Sequence, residues 1–306
     1  MDNNRRILIT GGTGLLGCSL IKLFRVDHEI TSTYVGDYKV EHEKSVRYEK
    51  MDTRDFDGYR RLFKSFKPSV VIHTASIGSP DYAENNREIT REINIGGTEK
   101  IVSLCEEHGS KYVYISSNGI YDGNRAPYGE SDEAKPVNYY GEIKLLGETI
   151  IKGRKMESAI IRPNILYGWH HPSERSNIVT MAVEKLRSGE MFKGYGDVYV
   201  MPLYVEQCAE AIRKIVDENR WETFNIAGRD RVSIFDFIRT AAQVFGLDAN
   251  LVESVGHDYF KGMVPRPKDT SYRTRKMEDE LKVRPLGIKE GLFKMKETEK
   301  NWNEKS

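Results

Sequence analysis

Apolar and polar positions fall in blocks through the first half of the chain, and the period changes from block to block. Residues 7–10, Ile-Leu-Ile-Thr, form an apolar run that stops at glycines, which predicts a buried strand. Residues 15–25 then place Leu16, Leu20, Leu23 and Phe24 at helical spacing. The alternation continues with strand 29–34, helix 59–66 stopped by Pro68, strand 69–73, helix 93–108 closed by Gly109, strand 111–116, helix 139–152 and strand 159–161. Strands alternating with helices predict right-handed βαβ units, hence an α/β molecule with a doubly wound parallel sheet and helices on both faces.

Beyond Arg162-Pro163 the period loosens. Helices are predicted at 178–187, within 202–216 and at 234–245, the last with Ser233 as N-cap and Gly246 as its stop, and a strand at 223–227. Residues 264–268 read as a proline-rich loop. The charged tail after Gly287 reads as a solvated terminal helix anchored by Leu292, Phe293, Met295 and Trp302. No linker interrupts the chain, so we expect one molecule of two lobes. Residues 1–165 would form a nucleotide lobe, to which a stretch near 195–227 returns. Residues 166–306 would mainly form a smaller α/β substrate lobe.

Composition narrows the function classes. Hydrophobic residues are 39% and charged residues 30% of the 306, as in a soluble globular chain. Lys+Arg (47) and Asp+Glu (46) leave a formal charge of +1, which offers no surface for a polyanion, so no nucleic-acid partner is expected. No apolar run reaches the roughly 18 residues of a membrane helix, and the segment before residue 7 has no room for a signal peptide, so no membrane partner is expected. Cys18, Cys105 and Cys208 match neither a zinc spacing nor a disulfide framework, which implies a reducing, cytoplasmic setting.

The first candidate chemistry is Thr10-Gly11-Gly12-Thr13-Gly14-Leu15-Leu16-Gly17, between a strand and a helix. Glycines at 11, 14 and 17 permit the tight turn, let the backbone approach a pyrophosphate, and bring helix against strand. The amides at the helix start, around Thr13, Leu15 and Leu16, then face an anion. This is the dinucleotide seat of a Rossmann sheet. An acid selecting NAD would fall at the end of the second strand, near Tyr34 and Val35, and neither is acidic. Asp37 lies just beyond, followed by Lys39 and His42. Without a carboxylate at the strand end, NADP(H) is favoured over NAD(H). Asp52, next to Thr53, stands where it reaches an adenine amine, or else caps the next helix.

The second is Tyr140-Gly141-Glu142-Ile143-Lys144, a phenol and an ammonium on one helix face. A nearby cation favours phenolate, so Lys144 is expected to lower the tyrosine pKa and make Tyr140 a proton donor and acceptor near neutrality. Tyr139 is off that face, and the second match, Tyr272 with Lys276, reads as accidental. Upstream, residues 111–116 run into Ser116-Ser117-Asn118 at the sheet edge where ligands bind. Ser117 is the candidate hydroxyl for steadying a substrate oxygen. His170-His171 carry no acid at ligand spacing, and no metal site is expected.

With these residues in this order, the chain resembles the extended short-chain dehydrogenase/reductase family, closest to its dTDP-4-dehydrorhamnose reductase branch. The likeness covers nearly the whole chain. It rests on residues 115–123, Pro80-Asp81-Tyr82-Ala83-Glu84, residues 138–148, Arg162-Pro163-Asn164-Ile165-Leu166-Tyr167-Gly168, Arg266-Pro267-Lys268-Asp269-Thr270-Ser271 and residues 286–292. The resemblance implies that His73, Thr74 and Ala75 line the cofactor and that Asn94, grouped with them, orders the site. It further implies that Ser76, Ser117, Asn118, Asn177 and Arg266 meet a nucleotide-sugar, and a homodimer is compatible with it. Some members carry magnesium, for which no compact carboxylate cluster stands here. The branch's usual Thr-Asp-Tyr-Val-Phe is Ser117-Asn118-Gly119-Ile120-Tyr121, so the aspartate is lost. That loss bears on which sugar is bound, and it counts against a 4,6-dehydratase, which needs an acid pair there. The implied activity is NADPH-dependent reduction of a 4-keto-6-deoxy nucleotide-sugar. The alternatives are a nucleotide-sugar epimerase with tightly bound NAD, and a non-catalytic NADP-binding regulatory subunit resembling the β subunit of methionine adenosyltransferase.

Overall fold

In the computed structural model, which describes residues 4–36, 45–170 and 174–300, seven strands lie side by side and parallel. They are β1 (Arg6–Thr10), β2 (Glu29–Tyr34), β3 (Val46–Lys50), β4 (Val70–His73), β5 (Lys111–Ile115), β6 (Ser158–Pro163) and β7 (Thr223–Ile226). Their order is β7-β6-β5-β4-β1-β2-β3. The winding reverses between β1 and β4, where Thr10 pairs with His73, and a crevice for ligands opens beyond the strand ends at such a point.

The central strands β4, β5 and β6 are buried along nearly their whole length because both faces are covered, whereas the edge strand β3 is polar and buried only at Val46. Ile7, Ile9, Ile72, Val113 and Ile161 belong to one core, with α1 (Leu15–Phe24) and the later helix Val205–Asp217. Leu8, Val71, Tyr112 and Ile160 belong to the other, with α2 (Phe56–Phe66) and α3 (Gly97–His108). The next helix, α4 (Tyr139–Lys152), contributes Ile151 to that second core. In the smaller lobe, Phe192–Tyr195 pairs in parallel with Val252–Val255 beside the helices Ile178–Arg187 and Ile234–Phe245. Ser233 caps the latter and Gly246 closes it at φ 72°.

Two expectations need correction. The predicted helix 93–108 is α3 preceded by a helix Arg87–Arg91 and a π turn, Glu92–Gly96. The wider turn sets Asn94 into the interior, a shift that helical periodicity does not signal. The terminal helix, Ile288–Glu297, is docked, with Ile288, Leu292 and Met295 buried. Phe293 is no anchor: it is 52% exposed, one position round from the buried stripe. Trp302 lies outside the described residues. Among the described residues no helix is long and apolar enough to cross a membrane.

Candidate functional site

Three strand ends and one helix build the site. After β1 the chain turns at Gly11 (φ 67°) and enters α1 through Gly14, which supplies no side-chain cap. The α1 ladder begins with Cys18 N donating to Gly14 O (3.0 Å), so the amides of Leu15, Leu16 and Gly17 precede it. A Cβ on Gly17 would stand 2.3 Å from Gly11 O, which makes this glycine a requirement of helix–strand packing. A Cβ on Gly14 would meet only Gly11 O, at 3.3 Å. Packing thus constrains glycine at 14 far less than at 17, and uncapped amides at a helix start are of the kind that bind a phosphate. Thr74 Oγ1 donates to Thr10 O (2.6 Å) and Ala75 N to Thr10 Oγ1 (3.2 Å), which ties the end of β4 to this turn. His73 Nδ1 lies 2.8 Å from Thr10 Oγ1. Burial, reinforced by the charge of Lys144, pushes its pKa down to about 3, so this imidazole is neutral.

At the end of β2 Tyr34 meets Tyr48 edge-on and Val35 is exposed; Asp37, Lys39 and His42 lie outside the described residues. Asp52 is held by Arg54, whose Nε and guanidinium NH2 each donate at 2.9 Å, and this bonding keeps the carboxyl below its ordinary range. Asp52 does not cap α2; Asp55 does, accepting from Gly58 N at 2.9 Å, while Thr53 is buried.

Ser116 still belongs to the sheet, its N donating to Ile161 O (2.7 Å), and Ser117 is the first residue free of it. Ser117 Oγ accepts from Gly119 N (3.0 Å) and donates to Asn118 Oδ1 (3.3 Å), and it and the Tyr140 ring both flank Gly119, 3.4 and 3.5 Å from where a Cβ there would stand. Asn138 caps α4 by accepting from Gly141 N (3.0 Å), and its amide also donates to Pro265 O (2.9 Å). From that cap, successive turns of α4 set Tyr140, Lys144 and Glu148 on one stripe. Lys144 Nζ donates to Ile115 O (2.9 Å) and Ser76 Oγ (3.1 Å), and lies 5.8 Å from the Tyr140 ring centre. Burial pushes Lys144 down to about 8. Below it, Glu148 accepts from Ser116 Oγ (2.6 Å) and from Arg162 through Nε (2.8 Å) and NH2 (2.6 Å). Burial disfavours the Glu148 carboxylate, but these bonds outweigh it and hold its pKa below the ordinary range.

The Tyr140 phenol is shifted up, not down as expected from Lys144. Tyr140 keeps an edge at the surface, yet desolvation raises its pKa, and the nearby Ser117 hydroxyl and the charge of Arg175 offset this only in part. Lys144 directs its N–H groups to Ser76 and Ile115, and the phenol holds its proton in the neutral range. Tyr139 points elsewhere, its hydroxyl donating to Arg87 O (3.1 Å). Tyr272 is buried ahead of the helix Arg275–Leu281, and Lys276 is paired with Glu222, so those two share no helix face.

The other candidates are placed as follows. Both ends of the Asn94 amide bond the backbone of Ile77 (2.7 and 2.9 Å), so it shapes the loop carrying Ser76. Asn118 Nδ2 donates to Thr270 Oγ1 (2.7 Å). Asn177, expected against the nucleotide-sugar, is spent as the cap of Ile178–Arg187 and donates to Gly168 O (2.7 Å). Arg266 is paired with Asp81, which also accepts from Val264 N (3.1 Å). His170 Nε2 lies 3.2 Å from Thr180 Oγ1, and His171 is outside the described residues. Sequence reasoning missed Asn138, Glu148 and Arg175. The spacing Tyr140, Lys144, Glu148 and the Asn138-x-x-Gly141 cap signal were legible; nothing local marks Arg175.

The model of the RmlD substrate binding domain matches residues 5–300. Methionine adenosyltransferase 2 subunit beta of Rattus norvegicus is 25% identical over 301 residues, covering 95% of this chain and 88% of that protein. The NADP complex of dTDP-4-dehydrorhamnose reductase from Bacillus anthracis superposes with a TM-score of 0.84 at 23% identity, over 95% of this chain and 98% of that one. A hypothetical dTDP-4-dehydrorhamnose reductase from Sulfolobus tokodaii reaches 0.80 at 26% identity, over 92% and 98%.

Proposed function

The chain belongs to the RmlD substrate binding domain family, and from that premise we propose that it is an NADPH-dependent reductase of a 4-keto-6-deoxy nucleotide-sugar. The observation that carries the reading is that Ser117 and Tyr140 flank Gly119 with Lys144 Nζ 5.8 Å from the Tyr140 ring, in a chain whose first strand ends in an uncapped glycine turn. A bound dihydronicotinamide supplies the hydride. Tyr140 gives its proton to the ketone oxygen, and the Ser117 hydroxyl bonds that oxygen as charge develops. Lys144, fixed by Ile115 O and Ser76, presents its ammonium to the cofactor ribose. The glycine turn holds the pyrophosphate, and the uncharged Val35 leaves room for a 2′-phosphate.

The test is NADPH absorbance followed against a panel of 4-keto nucleotide-sugars. Oxidation with one member, abolished in Tyr140→Phe, is expected. Calorimetry should show NADPH binding at least as tightly as NADH. Val35→Asp should move preference toward NADH by about 1–3 kcal/mol, since a 2′-phosphate would then face an unpaired carboxylate. A second reading, a cofactor-binding regulatory subunit, is supported by the full-length likeness to the methionine adenosyltransferase subunit. It is favoured if NADPH binds but no ketone is reduced.

A further inference from the structure

The phosphate turn has a neighbour from the other lobe. Glu174 precedes the helix Ile178–Arg187, and its Oε1 accepts a hydrogen bond from Thr13 Oγ1 at 2.7 Å. Thr13 lies inside the turn, between Gly11 and Gly14, and is 6% exposed. The first turn of α1 carries no acid of its own, and Gly14 gives its amides no side-chain cap. The positive end of this helix therefore has one described carboxylate within a hydroxyl's reach, and that carboxylate comes from 161 residues away in sequence.

A pyrophosphate seated on the amides of Leu15, Leu16 and Gly17 would bring negative charge toward the same hydroxyl. Two like charges a few ångströms apart repel, and most strongly where the chain excludes water. We infer that Glu174 is the chain's own competitor for the cofactor's pyrophosphate, so that its carboxylate lowers the affinity of the turn for a dinucleotide. This rests on reading the turn as a dinucleotide seat.

The experiment is calorimetric titration of the full chain with NADPH and with NADH, for the unmodified protein, Glu174→Gln and Glu174→Lys, at low and high salt. Glutamine keeps the shape and still accepts from Thr13, so the fold is retained; matching thermal melts check this. Glu174→Gln should tighten both dinucleotides by about five-fold at low salt, the effect of one unit charge at about 4 Å in water. Glu174→Lys should tighten them further, and the differences should shrink in about 1 M salt. Unchanged or weaker binding in Glu174→Gln overturns the inference and makes Glu174 a bystander or a cofactor ligand. Failure of the unmodified protein and both variants to bind either dinucleotide overturns it differently, by removing the dinucleotide reading beneath it.

Discussion

Burial moves both Tyr140 and Lys144 toward their uncharged forms. Tyr140 is desolvated and stays protonated, which suits a donor to a ketone oxygen. Tyr140→Phe keeps the ring, so fold and cofactor affinity should hold while the reduction rate falls by roughly 10²–10⁴, the usual contribution of general acid catalysis. Tyr139→Phe and Tyr272→Phe are controls expected to lose little, since neither hydroxyl faces the cleft. Lys144 is charged at a cost. Its folded-state pKa of about 8 lies below the unfolded value of about 10.4. Between those values the unfolded chain binds the extra proton, so this lysine destabilises fully below pH 8 and the cost is relieved as pH rises toward 10.4. Lys144→Met, without cofactor, should therefore compare best with the unmodified protein near pH 7, by on the order of 1–3 kcal/mol once the bonds to Ser76 and Ile115 are lost. That advantage should narrow by pH 9.5. Urea midpoints at both pH values decide it, and a constant gap rules out the titration of Lys144 as the cause.

Two elements, the glycine turn after β1 and the helix α4, frame the cleft. A Cβ at Gly17 would clash with Gly11 O at 2.3 Å, whereas one at Gly14 would meet it only as a tight 3.3 Å contact. Gly17→Ala should destabilise the protein by about 1–3 kcal/mol, as overpacking does. Gly14→Ala should leave the thermal midpoint nearly unchanged and weaken dinucleotide binding, because the new methyl group occupies the space offered to phosphate. Melting curves with and without NADPH separate the two effects. In α4 the stripe continues past Tyr140: Glu148 ties Ser116 to Arg162, and Lys144 ties Ile115. The strand end that carries Ser117 is thus fastened to the helix that carries Tyr140 by two charge-assisted bonds.

At the scale of the whole molecule, the loop 264–270 of the smaller lobe is fastened to the cleft edge at three points. Asp81 holds Val264 and Arg266, Asn138 holds Pro265, and Asn118 holds Thr270. Asp81→Asn removes one charge of a partly exposed pair worth up to about 1 kcal/mol. On the proposed reading, KM for the nucleotide-sugar should rise by about five-fold while NADPH affinity stays within about two-fold. Steady-state kinetics beside calorimetry would show it, and an equal loss in both would mean that the loop also supports the cofactor side.

The sequence by itself determined the parallel sheet, its helices and the turn after β1, because period, caps and glycine spacing act within a few residues of each other. It also placed Tyr140 and Lys144 one helical turn apart, a relation that no distant contact can change. Tertiary structure decided the rest. Asn94 and Asn177 have amides suited to a ligand, but neighbouring backbone claims both. Phe293 is apolar, but the packed stripe of its helix passes one residue away. Tyr140 is raised in pKa rather than lowered, because desolvation depends on everything packed around the phenol and not on the one cation four residues along. Glu174 reaches Thr13 from the far lobe, and no local pattern encodes a contact between segments so distant in the chain.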